Sequence, residues 1–475
     1  MEYLLDSFLR ADTQTRLGLC RRPEYAAVLR VHLGEAAFAE YRRLAGDEGG
    51  HLGPAAPRDL VVVPGVMGSL LASTSKGGLW WVDVRTRRHI DDLGLAPDGE
   101  SDADPGNAVE PVAADPSYEP FLASILTRDD VGHVLFPYDW RKPLSYSAAR
   151  FRDLVTGLSA RNHDRPVHVI AHSMGGLQVR VALYLYGEEL WRHIDRLVFV
   201  GTPHYGSPVI ARYLKKHLGG FDAMALLGRY LSRETFRSLW GVLSLLPAPA
   251  DIYPGAAGPY EHPCANFDFY TAGAWELDLD PAGEHRLQTI LDAAAGQHRR
   301  LASWHHELPQ ELRDRMAVIA GVGYQTIFRV ELRDRALGRG RGASLTKKRV
   351  PGDPHREGDG RVPLASAQLG DVRTWYVRGV HGGLLNIPAA GQAALAWVTG
   401  EEPDLPDTPV AALASHLADP MSSAAPHLDG TSKATPFDDD PGIVDTDDLD
   451  EHELDLLDER LHNDDLPDFI RTRLL

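Results

Sequence analysis

Six short apolar runs constrain this chain more than any other feature: residues 60–63, 133–136, 166–170, 197–200, 316–319 and 375–377. A run of four or so residues with little polar alternation reads as a strand buried on both faces. Segments of helical character, such as 147–158 and 177–186, lie between several of them. Strands that alternate with helices specify a mostly parallel sheet with helices on both faces, an α/β fold. Two segments interrupt the rhythm. Residues 77–120 are long and polar, with an exposed loop expected at 98–105, and residues 205–268 are Leu-rich before turning Pro- and Gly-rich. Inserts of this kind cover a site rather than extend the sheet.

The remainder of the 475 residues divides by composition. Residues 1–57 read as a helical N-terminal extension, with Ala27, Val31, Phe38 and Tyr41 on one face and a Gly/Pro-containing linker at 51–57. Residues 58–400 form the body. Residues 401–475 carry 21 Asp and Glu against 4 Lys and Arg, which accounts for 17 of the 18 net negative charges. The first 400 residues are nearly balanced, with 46 acids against 45 bases. Such an acidic, weakly apolar tail cannot offset its chain entropy, so 403–441 is expected to be disordered; Leu454, Leu457 and Leu461 then mark a short acidic amphipathic helix. Neither part has the basic footprint of a nucleic-acid binder. Two cysteines, Cys20 and Cys264, exclude a disulfide scaffold and a Cys-rich zinc module. No secretory h-region is visible near Met1, and no apolar run reaches the roughly 20 residues a spanning helix needs. The expectation is a cytoplasmic protein, with peripheral membrane contact left open.

The sharpest chemical signal is Ala171-His172-Ser173-Met174-Gly175-Gly176, directly after the third apolar run. It matches a nucleophile elbow with Ala171 at the usual first glycine. The serine must sit on a tight strand-to-helix turn, where small residues two before and two after avoid collision. The helix that follows points its free N–H groups at a developing oxyanion. Ser173 is therefore the candidate nucleophile, and the adjacent His172 is assigned to packing or bonding at the turn. A serine needs a base, and the base needs an orienting acid, in the chain order Ser, Asp or Glu, His. His381, in a glycine-flanked loop after the last apolar run, fits the base; His355 is its rival. Asp359, between Gly358 and Gly360, fits the acid, with Asp353 and Asp371 as alternatives. The oxyanion hole takes the Met174 amide and a second amide from Pro64–Ser69, where Val66 is preferred and Met67 is next.

Taken in chain order, Pro64-Gly65-Val66-Met67-Gly68-Ser69, Pro137-Tyr138-Asp139-Trp140-Arg141, the elbow, Gly201-Thr202-Pro203-His204-Tyr205-Gly206-Ser207, Gly358-Asp359-Gly360-Arg361-Val362-Pro363 and Val380-His381 resemble the lecithin:cholesterol acyltransferase-like family of α/β-hydrolases. The resemblance spans about residues 58–400. It implies an α/β-hydrolase fold with cap or lid insertions, an acyl-enzyme on Ser173 with Asp359 and His381, and lipid acyl esters, most of all phospholipids, as substrates. It implies no cofactor and no metal. Arg361 departs from the Thr common in the family, and the absence of cysteine between Cys20 and Cys264 removes the disulfide that clips the lid of many animal members. Trp80 and Trp81 stand where such members carry substrate contacts, and Leu239, Trp240 and Leu243 form an apolar patch in the second insert with Val242 and Leu246. For both groups two readings stand: acyl-chain or membrane contact, and plain packing of an insert on the body. Asp139 and Arg141 read as a structural ion pair. A second functional reading makes the chain a partner-regulated effector, with the acidic tail docking on a protein partner or blocking the site.

Overall fold

The computed structural model describes residues 2–11, 13–33, 38, 42, 58–81, 84–126, 128, 131–215, 231–254, 263, 268–324, 326–333, 344–348 and 358–418. The tail beyond Ala418, where a helix is expected around Leu454, Leu457 and Leu461, lies outside the described residues, as do residues 51–57, Tyr41, Cys264, Asp353 and His355. Within the 403–441 stretch expected to be disordered, the described part instead includes a helix, Pro409–Ala418.

Eleven strands are described, in chain order β1 (Arg58–Val63), β2 (Ser69–Ser73), β3 (Leu79–Trp81), β4 (Val109–Ala114), β5 (Val131–Leu135), β6 (Val167–His172), β7 (Ile194–Val200), β8 (Met316–Val322), β9 (Arg329–Arg333), β10 (Ser344–Lys348) and β11 (Arg373–Arg378). The six apolar runs become β1, β5, β6, β7, β8 and β11. These pair in the order β11-β8-β7-β6-β1-β5, and every pairing is parallel. Alternate side chains enter two separate cores: Val61, Val63, Val169 and Ala171 on one side, Leu60, Val62, Ile170 and Val198 on the other. That double burial is why the runs show no polar alternation. The helices Ala148–Arg161, Met174–Trp191 and Pro281–Glu307 cover the first face through Phe151, Leu177 and Leu291. Glu119–Leu126 and Pro388–Thr399 cover the second through Phe121 and Ala394.

The described parts of the inserts are built into the body. The first contributes β3 and β4 to a small antiparallel sheet, β3-β2-β4. Its acidic stretch is not simply exposed loop. Asp98 closes a turn by accepting from the Glu100 and Ser101 amides, and Asp102 reaches inward to Arg141 at 2.7 Å. Arg141 is wholly buried and also donates to both oxygens of Asp139, at 2.9 and 2.7 Å, and to the Leu93 carbonyl. Its own carbonyl accepts from Gly241 of the second insert, and Trp140 donates to the Ser69 carbonyl. The Asp139–Arg141 element thus ties both inserts to the body.

The N-terminal helices Glu2–Leu9, Thr13–Cys20 and Pro23–Leu33 are not a loose extension. Leu5, Phe8, Leu17, Cys20, Tyr25 and Leu29 enter the first core. Ala27 is exposed, contrary to expectation, because the buried stripe runs one turn apart through Tyr25 and Leu29. Arg16, buried among them, donates to Glu119 at 3.1 Å and to the carbonyls of Phe8, Leu9 and Ala114.

Candidate active site

Ser173 follows β6 and caps the helix Met174–Trp191 with φ 53° and ψ −129°. An L-residue takes this left-handed geometry only where its surroundings enforce it. The neighbours do so by close approach. A Cβ on Gly175 would lie 2.5 Å from the Pro64 carbonyl oxygen, and one on Gly176 would lie 2.1 Å from the Thr202 hydroxyl. A Cβ on Gly65 would sit 2.8 Å from the Ser173 Cβ. The elbow therefore presses against the ends of β1 and β7, and glycine is the residue that permits it.

His381 begins the short turn His381–Asn386 after β11. Its Nε2 lies 2.8 Å from Ser173 Oγ, and its Nδ1 lies 2.8 Å from Asp359 Oδ2. The His381 amide donates to the Asp359 carbonyl at 2.9 Å, so main chain as well as side chain sets their spacing. Asp359 is 1% exposed, and its Oδ1 accepts from the Arg361 and Val362 amides at 3.0 and 2.7 Å. Gly201 and Gly321 lie behind the pair, where a Cβ would meet Leu384 at 2.7 Å and the Asp359 Cβ at 2.6 Å. Of the rival acids, Asp371 is exposed and pairs with Arg313.

The Pro64–Ser69 loop faces this line. Gly68 donates back to the Gly65 carbonyl, and Met67 takes φ 59°. Trp81 donates to the Met67 carbonyl at 3.0 Å, and the Asp115 amide donates to the Gly68 carbonyl. Among the described residues, the amides of Val66, Met67 and Met174 donate to no protein acceptor.

His172 bonds at the turn and beyond it. Its Nδ1 is 2.7 Å from the Tyr118 hydroxyl and its Nε2 is 3.0 Å from the His381 carbonyl oxygen. Burial, with His381 nearby, holds its pKa down at about 3. Tyr118 in turn accepts from the Gly65 amide at 2.8 Å, and burial pushes its phenol pKa up. Sequence reading missed Tyr118, because a tyrosine in an insert carries no spacing or motif that marks it.

Of the residues considered for acyl-chain contact, Trp80, Trp81, Leu239 and Leu243 are buried and Trp240 is half-buried. Trp80 is fully buried and stacks on His89; Trp81 is 3% exposed and packs edge-on against Trp140. Leu239 and Leu243 are fully buried in the first core, and Trp240 packs against it, with its ring where a Gly99 side chain would lie. No group of three or more His, Cys, Asp or Glu among the described residues is placed to hold a metal, and none of their helices is long and apolar enough to cross a membrane.

The six-stranded parallel sheet, with an elbow serine after β6 and a histidine loop after β11, is the α/β-hydrolase fold. The family model of lecithin:cholesterol acyltransferase matches residues 127–266, which include the Asp139–Arg141 element, the elbow and Gly201–Ser207. Over this stretch the chain is similar to that family. A search of curated proteins by sequence finds no match. Among solved structures, the chain is similar to one in a Tle4–Tli4 complex at 15% identity, covering 73% of this chain and 98% of that one, with a TM-score of 0.47. It is also similar to the mature Bacillus licheniformis lipase BlEst2 at 14% identity, 75% and 95% coverage and a TM-score of 0.33. A membrane phospholipase A described as a bacterial virulence factor follows at 12% identity, 73% and 80% coverage and 0.29. The lecithin:cholesterol acyltransferase-like match ends at residue 266, well before Asp359 and His381.

Proposed function

We propose that this protein is a serine hydrolase or acyltransferase of lipid acyl esters, phospholipids foremost, acting through an acyl-enzyme on Ser173. One observation carries the reading: the unbroken line from Ser173 Oγ to His381 Nε2 and from His381 Nδ1 to Asp359, with 2.8 Å at each step. His381 takes the Ser173 proton as Oγ attacks the ester carbonyl carbon, and the carbonyl π pair moves onto oxygen. The Val66 and Met174 amides donate to that oxyanion. Asp359 accepts from Nδ1 and keeps Nε2 facing the serine, while stabilising the imidazolium. As the carbonyl re-forms, the ester C–O bond breaks and the leaving alcohol takes the proton back from Nε2. Water or a second lipid hydroxyl then repeats the steps in reverse, which decides between hydrolysis and transfer.

The family match over residues 127–266 supports a lipid acyl ester as substrate. The N-terminal helices belong with the 58–400 body as one working unit, since they share its core. The test is mass spectrometry of mixed phospholipid vesicles incubated with intact protein and with Ser173→Ala. Fatty acid and lysolipid formed by the intact protein alone is the expected result, and acyl chains appearing on a second lipid would identify a transferase. Equal lipid profiles from the two proteins would refute the reading.

A further inference from the structure

We infer that Tyr118 and His172 are positioning residues, forming a hydrogen-bonded strut that holds the oxyanion loop and the base loop in one geometry. The inference rests on the triad reading above. Four contacts define it: Gly65 N to Tyr118 Oη at 2.8 Å, Tyr118 Oη to His172 Nδ1 at 2.7 Å, His172 Nε2 to the His381 carbonyl at 3.0 Å, and His381 Nε2 to Ser173 Oγ at 2.8 Å.

The direction of every bond follows from the two ends. A carbonyl oxygen only accepts, so His172 Nε2 carries the hydrogen and Nδ1 is left as an acceptor. The Tyr118 hydroxyl therefore donates to Nδ1, and its lone pair takes the Gly65 N–H. The arrangement is consistent only with a neutral His172, which its enclosure between Tyr118, the His381 ring at 5.2 Å and the sheet favours. A charged ring there would have to donate from Nδ1 and would break the link to Tyr118.

What the strut joins is far apart in sequence. Gly65 precedes Val66, whose amide is the candidate oxyanion donor, while His381 is the candidate base. Both must be in place in the same transition state, and a fraction of an ångström matters to each. Tyr118 is itself held: Asp115 accepts from the Ser117 amide ahead of it, and Glu119 behind it pairs with buried Arg16. His172 holds the base loop by its main chain, which fixes the loop yet leaves the His381 ring free to turn toward serine or leaving group.

The experiment uses a fluorophosphonate ester on the full-length chain. Ser173 Oγ forms a bond to phosphorus as the P–F bond breaks, the proton passes to His381 and fluoride leaves. Tyr118→Phe and His172→Phe should each slow the phosphonylation step by about 10- to 100-fold with probe affinity unchanged. The double variant should be no slower than the worse single, because one strut is broken once. His172→Gln, which restores an N–H toward the His381 carbonyl, should recover most of the rate. Melting curves establish that each variant is folded, and Tyr118→Phe, which removes one oxygen, carries the test if His172→Phe does not fold. Full-rate labelling in folded strut variants overturns the strut and leaves the triad standing. No labelling of the wild-type protein overturns the triad and the strut's role with it. 15N-histidine NMR of the resting protein reads the tautomer independently: Nε2–H on His172 is expected, and Nδ1–H overturns the strut.

Discussion

Gly175→Ala tests how closely the elbow depends on contact with β1. Helix propensity alone favours alanine by about 1 kcal/mol, so a chain whose elbow were loosely seated would gain stability. The structure points the other way. The added Cβ would lie 2.5 Å from the Pro64 carbonyl oxygen and 2.6 Å from that of Val63, both backbone atoms that cannot rotate aside. The helix start must retreat by at least roughly half an ångström before the repulsion is relieved. Overpacking of this kind costs about 1–3 kcal/mol, which cancels or outweighs the propensity gain. The retreat also carries Ser173 and the Met174 amide away from Val66, and misplacement on this scale costs on the order of 10- to 100-fold in kcat. Gly157→Ala is the control: it lies within the helix Ala148–Arg161 with nothing within 4 Å of its Cβ position, and should raise stability by about 0.4–1 kcal/mol with turnover unchanged. Denaturant titration and short-chain ester hydrolysis measure both. A Gly175→Ala protein as active as wild type and stabilised like Gly157→Ala would refute the argument.

Two further outcomes follow from buried charge. His172 and His298 are held neutral by burial, at about 3 and about 4. A histidine with a depressed folded value contributes stability that is full above the unfolded value of about 6.5 and is lost as pH falls below it. Together they should cost roughly 2–3 kcal/mol between pH 6 and pH 5; a stability unchanged over that interval in denaturant melts would show that neither ring is held neutral. Arg141→Met should destabilise by about 3–5 kcal/mol, because it takes the guanidinium away from the Asp139 and Asp102 carboxylates. A loss below 1 kcal/mol in the same titration would mean that the carboxylates find other partners.

The sheet was legible because strands buried on both faces cannot alternate, and the runs at residues 60–63 and 197–200 fall within β1 and β7. Ends were less legible: β8 continues to Val322 through Ala320 and Gly321, small residues whose burial adds no hydropathy peak. Ser173 and the glycines after it were readable since the turn demands those residue types at fixed offsets. Asp359 and His381 were readable only as order and loop context, and their distances come from tertiary structure. Trp80, Trp81 and Leu239 could not be assigned from sequence, because an apolar side chain in an insert looks the same whether it meets lipid or its own core. Asp102 looked like one solvated acid among many; only its inward pairing with Arg141 distinguishes it.

The contact of Arg16 with Glu119 bears on how the chain is assembled. The partners are 103 residues apart, so the helices made first during synthesis cannot complete their burial until the segment around Glu119 has emerged. For that interval Leu5, Phe8, Leu17 and Leu29 have no core to enter, which is the circumstance in which nascent chains associate wrongly. Residues 58–418 made without this segment would carry the complementary wound: an open apolar face and a Glu119 carboxylate that has lost Arg16. Adding residues 1–33 as a separate peptide should then restore cooperative melting, and a body that melts cooperatively without the peptide would show that the two can be made apart.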